Sequence, residues 1–170
     1  GYDFAFLQDQ SQNPATYGRD GTASIAANCT ALADKIRAKS ASCKVILEQT
    51  WPFSASSYGG FTDFATFENY NAKRARAMAK AAGTWISPIG EAFRIVREGS
   101  SGINLYHTDN KHQSVYGAYL KACVNYLVLY GEAFGSSPAD CGIEASKAAY
   151  LRSVAEQVVL GHENEYLIQR

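Results

Sequence analysis

Short apolar runs alternate with stretches of helical period along this chain. Residues 2–8, YDFAFLQ, form an apolar and aromatic run closing on polar residues, the profile of an interior strand whose carboxyl end opens into a loop. The next stretch, QDQSQNPATYGRDG, carries turn chemistry, with Asn-Pro and two glycines. From Ser24 the apolar positions Ile25, Cys29, Leu32, Ala33 and Ile36 recur at helical spacing. Lys35, Arg37 and Lys39 then place cations at the negative end of that helix dipole. CKVILEQTW predicts a second buried strand, and PFSASSYGGFTDF a long polar and aromatic loop. Residues 66–82, TFENYNAKRARAMAKAA, predict a helix stopped by Gly83, with the cations of KRARAMAK on its solvated face. TWISPIG predicts a third strand and EAFRIVREG a short helix. Ser114 stands where it would cap a helix with Val115, Tyr119, Leu120, Cys123, Val124 and Leu127 as apolar positions. A last helix covers roughly 144–159, with Ala145, Ala149, Leu151, Val154, Val158 and Val159 inward, and Gly161 ends it.

This alternation predicts one α/β domain with a parallel sheet, and no internal repeat or domain boundary interrupts it. Strands near 3–8, 44–49 and 84–88 should be parallel with helices on both faces, because helical crossovers of fixed hand join them. A chain of 170 residues is long enough to bury a single core. Sixteen basic and sixteen acidic residues cancel, so no net field draws it to nucleic acid or anionic lipid. The longest apolar runs, such as CVNYLVLY, fall short of a membrane span. GYDFAFLQDQ reads as a strand rather than a signal peptide. Cys29, Cys43, Cys123 and Cys141 form no CxxC pattern, which argues against a zinc ribbon or redox motif. Local pairs 29–43 and 123–141 are geometrically plausible disulfides, and four reduced thiols are the other reading.

Ligands of open parallel sheets gather at the carboxyl ends of the strands. LQDQSQNP, EQTWPF and SPIGEAF occupy those ends, and the loop LYHTDNKHQS comes after all three. In that loop Asp109 precedes His112 by three residues. A carboxylate so placed can accept a hydrogen bond from Nδ1–H of the imidazole, fixing the tautomer and leaving Nε2 free as a base. The spacing by itself is common, and a polar capping loop would show it too. His107, Asp109 and His112 could also be read as metal ligands, but H-x-D-x-x-H is not a recognised zinc spacing, so neither metal nor cofactor is expected. Trp51 and Phe53, with Tyr58, Phe61, Phe64 and Phe67, either wall a sugar-sized substrate or pack their own loop.

YHTDNKHQSVYGAYLKACVNY resembles the last sequence block of the SGNH (GDSL-like) hydrolases, in which Asp, two spacers and His precede a Ser, a Gly and a small-residue helix. YDFAFLQDQSQNP looks like the third block of a branch with Gln-rich ends in place of Gly-x-Asn-Asp. KVILEQTWPF and GTWISPIGEAF occupy the places of its fourth and fifth strands. The resemblance implies a flavodoxin-like three-layer α/β/α fold and ester hydrolysis, of acetyl or other acyl groups on a glycan or small molecule. It implies His112 as general base and Asp109 as its orienting partner. Gln10 stands at the oxyanion-hole Asn of the third block, with Gln8 the competing donor. No Gly-Asp-Ser or Gly-Asn-Ser occurs in the chain, so the nucleophilic serine is expected upstream and the domain is expected to be incomplete at its N-terminus. Ser11 is a distant substitute, more naturally a turn hydroxyl. Export to the cell exterior or periplasm follows from the habits of the family and suits the four cysteines. The reading from another class is a non-catalytic carbohydrate-binding or structural module that retains the fold.

Overall fold

The computed structural model describes residues 1–10, 13–16, 23–54, 60–61, 63–136 and 139–170. Strands β1 (Phe4–Gln8), β2 (Lys44–Glu48) and β3 (Trp85–Ser87) form a parallel sheet in the order β1-β2-β3. Helices α1 (Asn13–Thr16), α2 (Ala23–Lys39), α3 (Phe64–Ala82), α4 (Ile89–Glu98), α5 (Val115–Tyr130) and α6 (Ala145–Val159) complete the elements. Gln8 pairs in register with Glu48, and Glu48 with Ser87. Side chains alternate between the two faces of a strand, so these three project together from one face at the carboxyl end.

Helices α2 and α3 cover the opposite face, where Leu7, Ile25, Cys29, Leu47 and Met78 meet around one cleft. On the first face α5 is bonded to the strand ends and packs against α4 and α6. The core runs through Ile46, Met78, Ile86, Phe93, Leu120, Leu127 and Leu151, all fully buried. This is the three-layer α/β/α arrangement that the alternation of periods predicts.

Helix ends follow their local chemistry. Asp63 caps α3, its Oδ1 accepting from the Thr66 N–H at 2.7 Å, and Gly83 closes it in the left-handed conformation at φ 63°. The helix thus begins at Phe64 rather than 66. Arg37 reaches across from α2 and donates to the Ala82 and Gly83 carbonyls at 2.9 and 2.6 Å.

Several expectations are corrected. The strand read as interior is an edge: Phe4 and Phe6 are 37% and 39% exposed, and among the described residues no strand pairs with the side of β1 away from β2. An apolar run looks the same at an edge as at a centre; only the neighbouring strand distinguishes them. Leu32, expected inside, is half exposed at the cleft beside β1. Asn13–Thr16 is a short helix within a stretch read as turn, with Asn13 Nδ2 donating to Asp9 Oδ1 at 2.9 Å. The segment Pro88–Gly90, read as strand, opens α4 instead, since proline is well suited to a helix start. In α6 the inner face includes Ala148 and Ala155, whereas Ala145 and Ala149 are exposed. Arg76 is not simply solvated; it pairs with Glu91 at 2.7 Å and lies over the Tyr166 ring. Of the two cysteine readings the reduced one holds, with Cys29, Cys43 and Cys123 buried and Cys141 exposed as free thiols. Burial pushes the Cys123 thiol up to about 11.

Candidate active site

The loop before α5 is a tight hairpin. Tyr106 and Gln113 form an antiparallel bridge, and the His107 N–H donates to the His112 carbonyl at 2.8 Å. Its turn needs one left-handed residue, which Asn110 supplies at φ 59°. Asp109 organises this turn. Its Oδ1 accepts from the backbone N–H groups of Lys111 and His112, at 2.9 and 3.0 Å. Its Oδ2 lies 2.6 Å from His112 Nδ1.

The electrostatic consequence is direct. The hydrogen bond from His112, then the two backbone N–H groups, hold the Asp109 carboxyl well below the usual carboxylate range. A carboxylate that stays ionised can only accept, so the proton of a neutral imidazole sits on Nδ1 and Nε2 carries the lone pair. The His112 side chain is 80% exposed, so Nε2 is open to a substrate. His107 is turned to its neighbour, with Nδ1 3.2 Å from Thr108 Oγ1.

The hairpin is pinned to the segment after β2. Trp51 Nε1 donates to the Lys111 carbonyl, the Ser54 N–H to the Asn110 carbonyl, and the Tyr106 hydroxyl to the Pro52 carbonyl, each at 2.9 Å. The Asp109–His112 pair therefore stands at the carboxyl end of the sheet. Trp51 is only 3% exposed and stacks on Phe93 at 4.7 Å between ring centroids. It cannot offer its face as a substrate wall; its ring fills core while its N–H fastens the hairpin. Phe53, Phe61, Phe64 and Phe67 are likewise buried. Tyr58 and Ser11 lie outside the described residues.

A polar chain underlies the strand ends. Lys121 Nζ donates to Gln8 Oε1 at 2.8 Å and to Glu48 Oε2 at 2.7 Å. Asn125 Nδ2 donates to Glu48 Oε1 at 2.9 Å, and its Oδ1 accepts from Ser87 Oγ at 2.6 Å. Gln8 belongs to this chain, while Gln10 is an exposed residue beyond the strand. Sequence reasoning placed Glu48 and Ser87 in the strand-end clusters but passed over Lys121 and Asn125. The signal was available: Lys121 is the only charged residue of α5, and Asn125 follows it by four.

A second buried polar group braces the same segment from α3. Gln49 Nε2 donates to Glu68 Oε1 at 2.7 Å, and Asn71 Nδ2 to the Thr50 carbonyl at 2.6 Å. Glu68 is 1% exposed. Burial, then the charge of Glu91, raise its carboxyl from 4.5 to about 7 against Arg94, Arg76 and Gln49. A folded-state value above the unfolded one gives stability that is full below the unfolded value and lost as pH rises through the folded one. Stability should thus fall between about pH 4.5 and pH 7. Glu68→Gln should flatten that fall, on the order of 3 kcal/mol over the interval. Denaturant unfolding at pH 5 and pH 8 measures it, and an unchanged slope in the variant would show that the carboxyl ionises freely.

No protein-family model matches the chain, and no curated protein matches it. Two solved structures share its fold. One is a DUF4886 family protein from Bacteroides uniformis, with a TM-score of 0.75 at 19% identity, covering 95% of this chain and 64% of that one. The other, from Slackia heliotrinireducens, is described as a "putative SGNH hydrolase". It has a TM-score of 0.57 at 24% identity, covering 74% of this chain and 64% of that one. The chain thus has an SGNH-like α/β fold and spans 64% of the length of each of these structures.

Proposed function

We propose that the chain forms the base-bearing part of an SGNH-type serine ester hydrolase acting on acyl esters of a glycan or small molecule. The observation that carries this reading is the Asp109–His112 pair: a 2.6 Å hydrogen bond on Nδ1, an ionised carboxylate, and an open Nε2 at the carboxyl end of a parallel sheet. In the reaction Nε2 takes the proton of a serine hydroxyl as its oxygen attacks the ester carbonyl. The imidazolium then gives that proton to the leaving alcohol, and Asp109 stabilises the cation meanwhile. The acyl-enzyme is released by water, activated by the same base. An amide N–H₂ at the end of β1, from Gln8 or Gln10, serves the developing oxyanion. Gln8 is the better held of the two, since Lys121 fixes its carbonyl end.

The nucleophile belongs to a segment outside this chain, on a strand that lies against the free side of β1. The edge of β1, which no strand pairs among the described residues and where Tyr2, Phe4 and Phe6 are exposed, supports that placement, since such an edge is a template for a further strand. A strand docked on that edge would extend the parallel sheet by one.

Hydrolysis of nitrophenyl acetate tests the reading. The full-length protein should turn the ester over and form an acyl-enzyme at a serine outside residues 1–170, visible by mass spectrometry. The 170-residue chain alone should give no turnover above background. Activity in that chain abolished by Ser11→Ala would move the nucleophile to Ser11. An inert full-length protein would leave a carbohydrate-binding module as the function of the fold.

A further inference from the structure

The polar chain across the strand ends has a direction. Ser87 Oγ lies 2.6 Å from Asn125 Oδ1, an atom that can only accept, so the hydroxyl donates. That orients the Asn125 amide with Nδ2 toward Glu48 Oε1. The Glu48 carboxylate, 5% exposed, then presents Oε2 to Lys121. An ammonium has donors only, so Lys121 must face the oxygen end of the Gln8 amide. Lys121 thereby takes the oxygen end of Gln8 and leaves the N–H₂ end to another partner. Each member leaves its neighbour one polarity, and in-register pairing of Gln8, Glu48 and Ser87 brings all of them within reach of two residues one helical turn apart.

We propose that Lys121 is a positioning residue for ester hydrolysis, fixing the Gln8 amide with its N–H₂ outward as the oxyanion donor, and that Glu48, Asn125 and Ser87 hold Lys121 in that role. The assignment rests on the esterase reading and deepens it. A glutamine at the mouth of a site is otherwise a rotor whose two ends are alike in shape, and half of its orientations would offer an oxygen to a developing oxyanion. Preorganised donors are what such catalysis needs. Lys121 touches no substrate atom; it acts through Gln8.

The test uses the full-length protein and nitrophenyl acetate. Lys121→Met should lower kcat about tenfold or more with KM unchanged, because the donor matters only as the oxyanion forms. Lys121→Arg, which also only donates, should restore most of the loss. Lys121→Met leaves the buried Glu48 carboxylate without its cation, so Lys121→Met/Glu48→Gln is the control for folding. It should recover stability and remain slow. In a Gln8→Ala background Lys121→Met should add less than twofold, since the amide it orients is gone. Full activity in the Lys121→Met/Glu48→Gln protein, or a full additional loss in the Gln8→Ala background, would overturn the proposal.

A measurement independent of turnover separates this proposal from the esterase reading. The side-chain amide of Gln8 should show a high NMR order parameter that drops in Lys121→Met. An amide equally mobile in both proteins overturns the positioning role, whatever the activity. An ordered amide together with hydrolysis that His112→Ala leaves unchanged would overturn the esterase reading, and with it the catalytic purpose assigned to Lys121.

Discussion

Replacing His112 by alanine in the full-length protein is expected to lower kcat/KM for a nitrophenyl ester by roughly 10⁴–10⁶-fold. The size follows from what the imidazole does. A serine hydroxyl is a weak nucleophile at neutral pH, and without a base in contact its proton must leave to water. The same side chain returns the proton to the leaving alcohol, so its loss strikes both halves of the step. Asp109→Asn should cost somewhat less, on the order of 10⁴-fold, by removing the acceptor that fixes the tautomer and steadies the imidazolium. Its effect should be split between chemistry and shape, because Asp109 also accepts the Lys111 and His112 backbone N–H groups. The carboxyl is held well below its ordinary range, so an acid limb near neutral pH in the rate profile cannot belong to Asp109. Any stability that Asp109 lends the hairpin is present above the ordinary carboxylate range and is lost only as pH falls through its depressed value. Steady-state kinetics with a circular dichroism control suffice. Unchanged hydrolysis in His112→Ala would show the hairpin to be structural.

Gly117→Ala should destabilise the fold by about 1–3 kcal/mol, although the glycine lies in the first turn of a helix. Helix propensity alone argues the other way, since alanine gains up to about 1 kcal/mol over glycine in a helix interior. The clash decides. A Cβ at 117 would press well inside contact distance of the Leu105 carbonyl oxygen, and would stand 2.9 Å from Gln113 Cβ and 3.0 Å from Phe93 Cζ. That carbonyl cannot easily retreat, because it accepts from the Ser114 N–H at 2.8 Å while Ser114 Oγ donates to the Asn104 carbonyl. Phe93 is fully buried against Trp51, which holds the hairpin in turn. The relief would push Leu105–Gln113 outward, so kcat should fall together with stability. Urea unfolding measures the first and the ester assay the second. A variant as stable as the parent would show that the close approach of α5 to the hairpin is not rigid.

These two effects share a cause in the loop between α4 and α5, and that loop was the most legible part of the chain. Asp109 and His112 bond because three-residue spacing and a left-handed Asn110 are local matters. The Ser114 cap of α5, with Gly117 N–H donating to its Oγ at 3.3 Å, and the Gly83 stop of α3 are local in the same sense. Trp51 was less legible. A tryptophan after a strand serves equally as a platform or as core, and only the stacked Phe93, more than forty residues away, settles which.

The sequence by itself determined the order and type of the strands and longer helices, the parallel sense of the sheet, and the Asp–His pair. Each depends on periodicity, turn chemistry or contacts a few residues apart, and those interactions are already fixed by neighbours along the chain. The tertiary structure alone decided that β1 is an edge, that Trp51 is buried, and that Glu68 is enclosed against Gln49. It alone joined Gln8, Glu48 and Ser87 through Lys121 and Asn125. The hydrogen bonds of that chain link residues 38 to 113 positions apart. Their partners are chosen by strand register and by the face on which α5 lies, and neither leaves a periodic mark in the residues themselves.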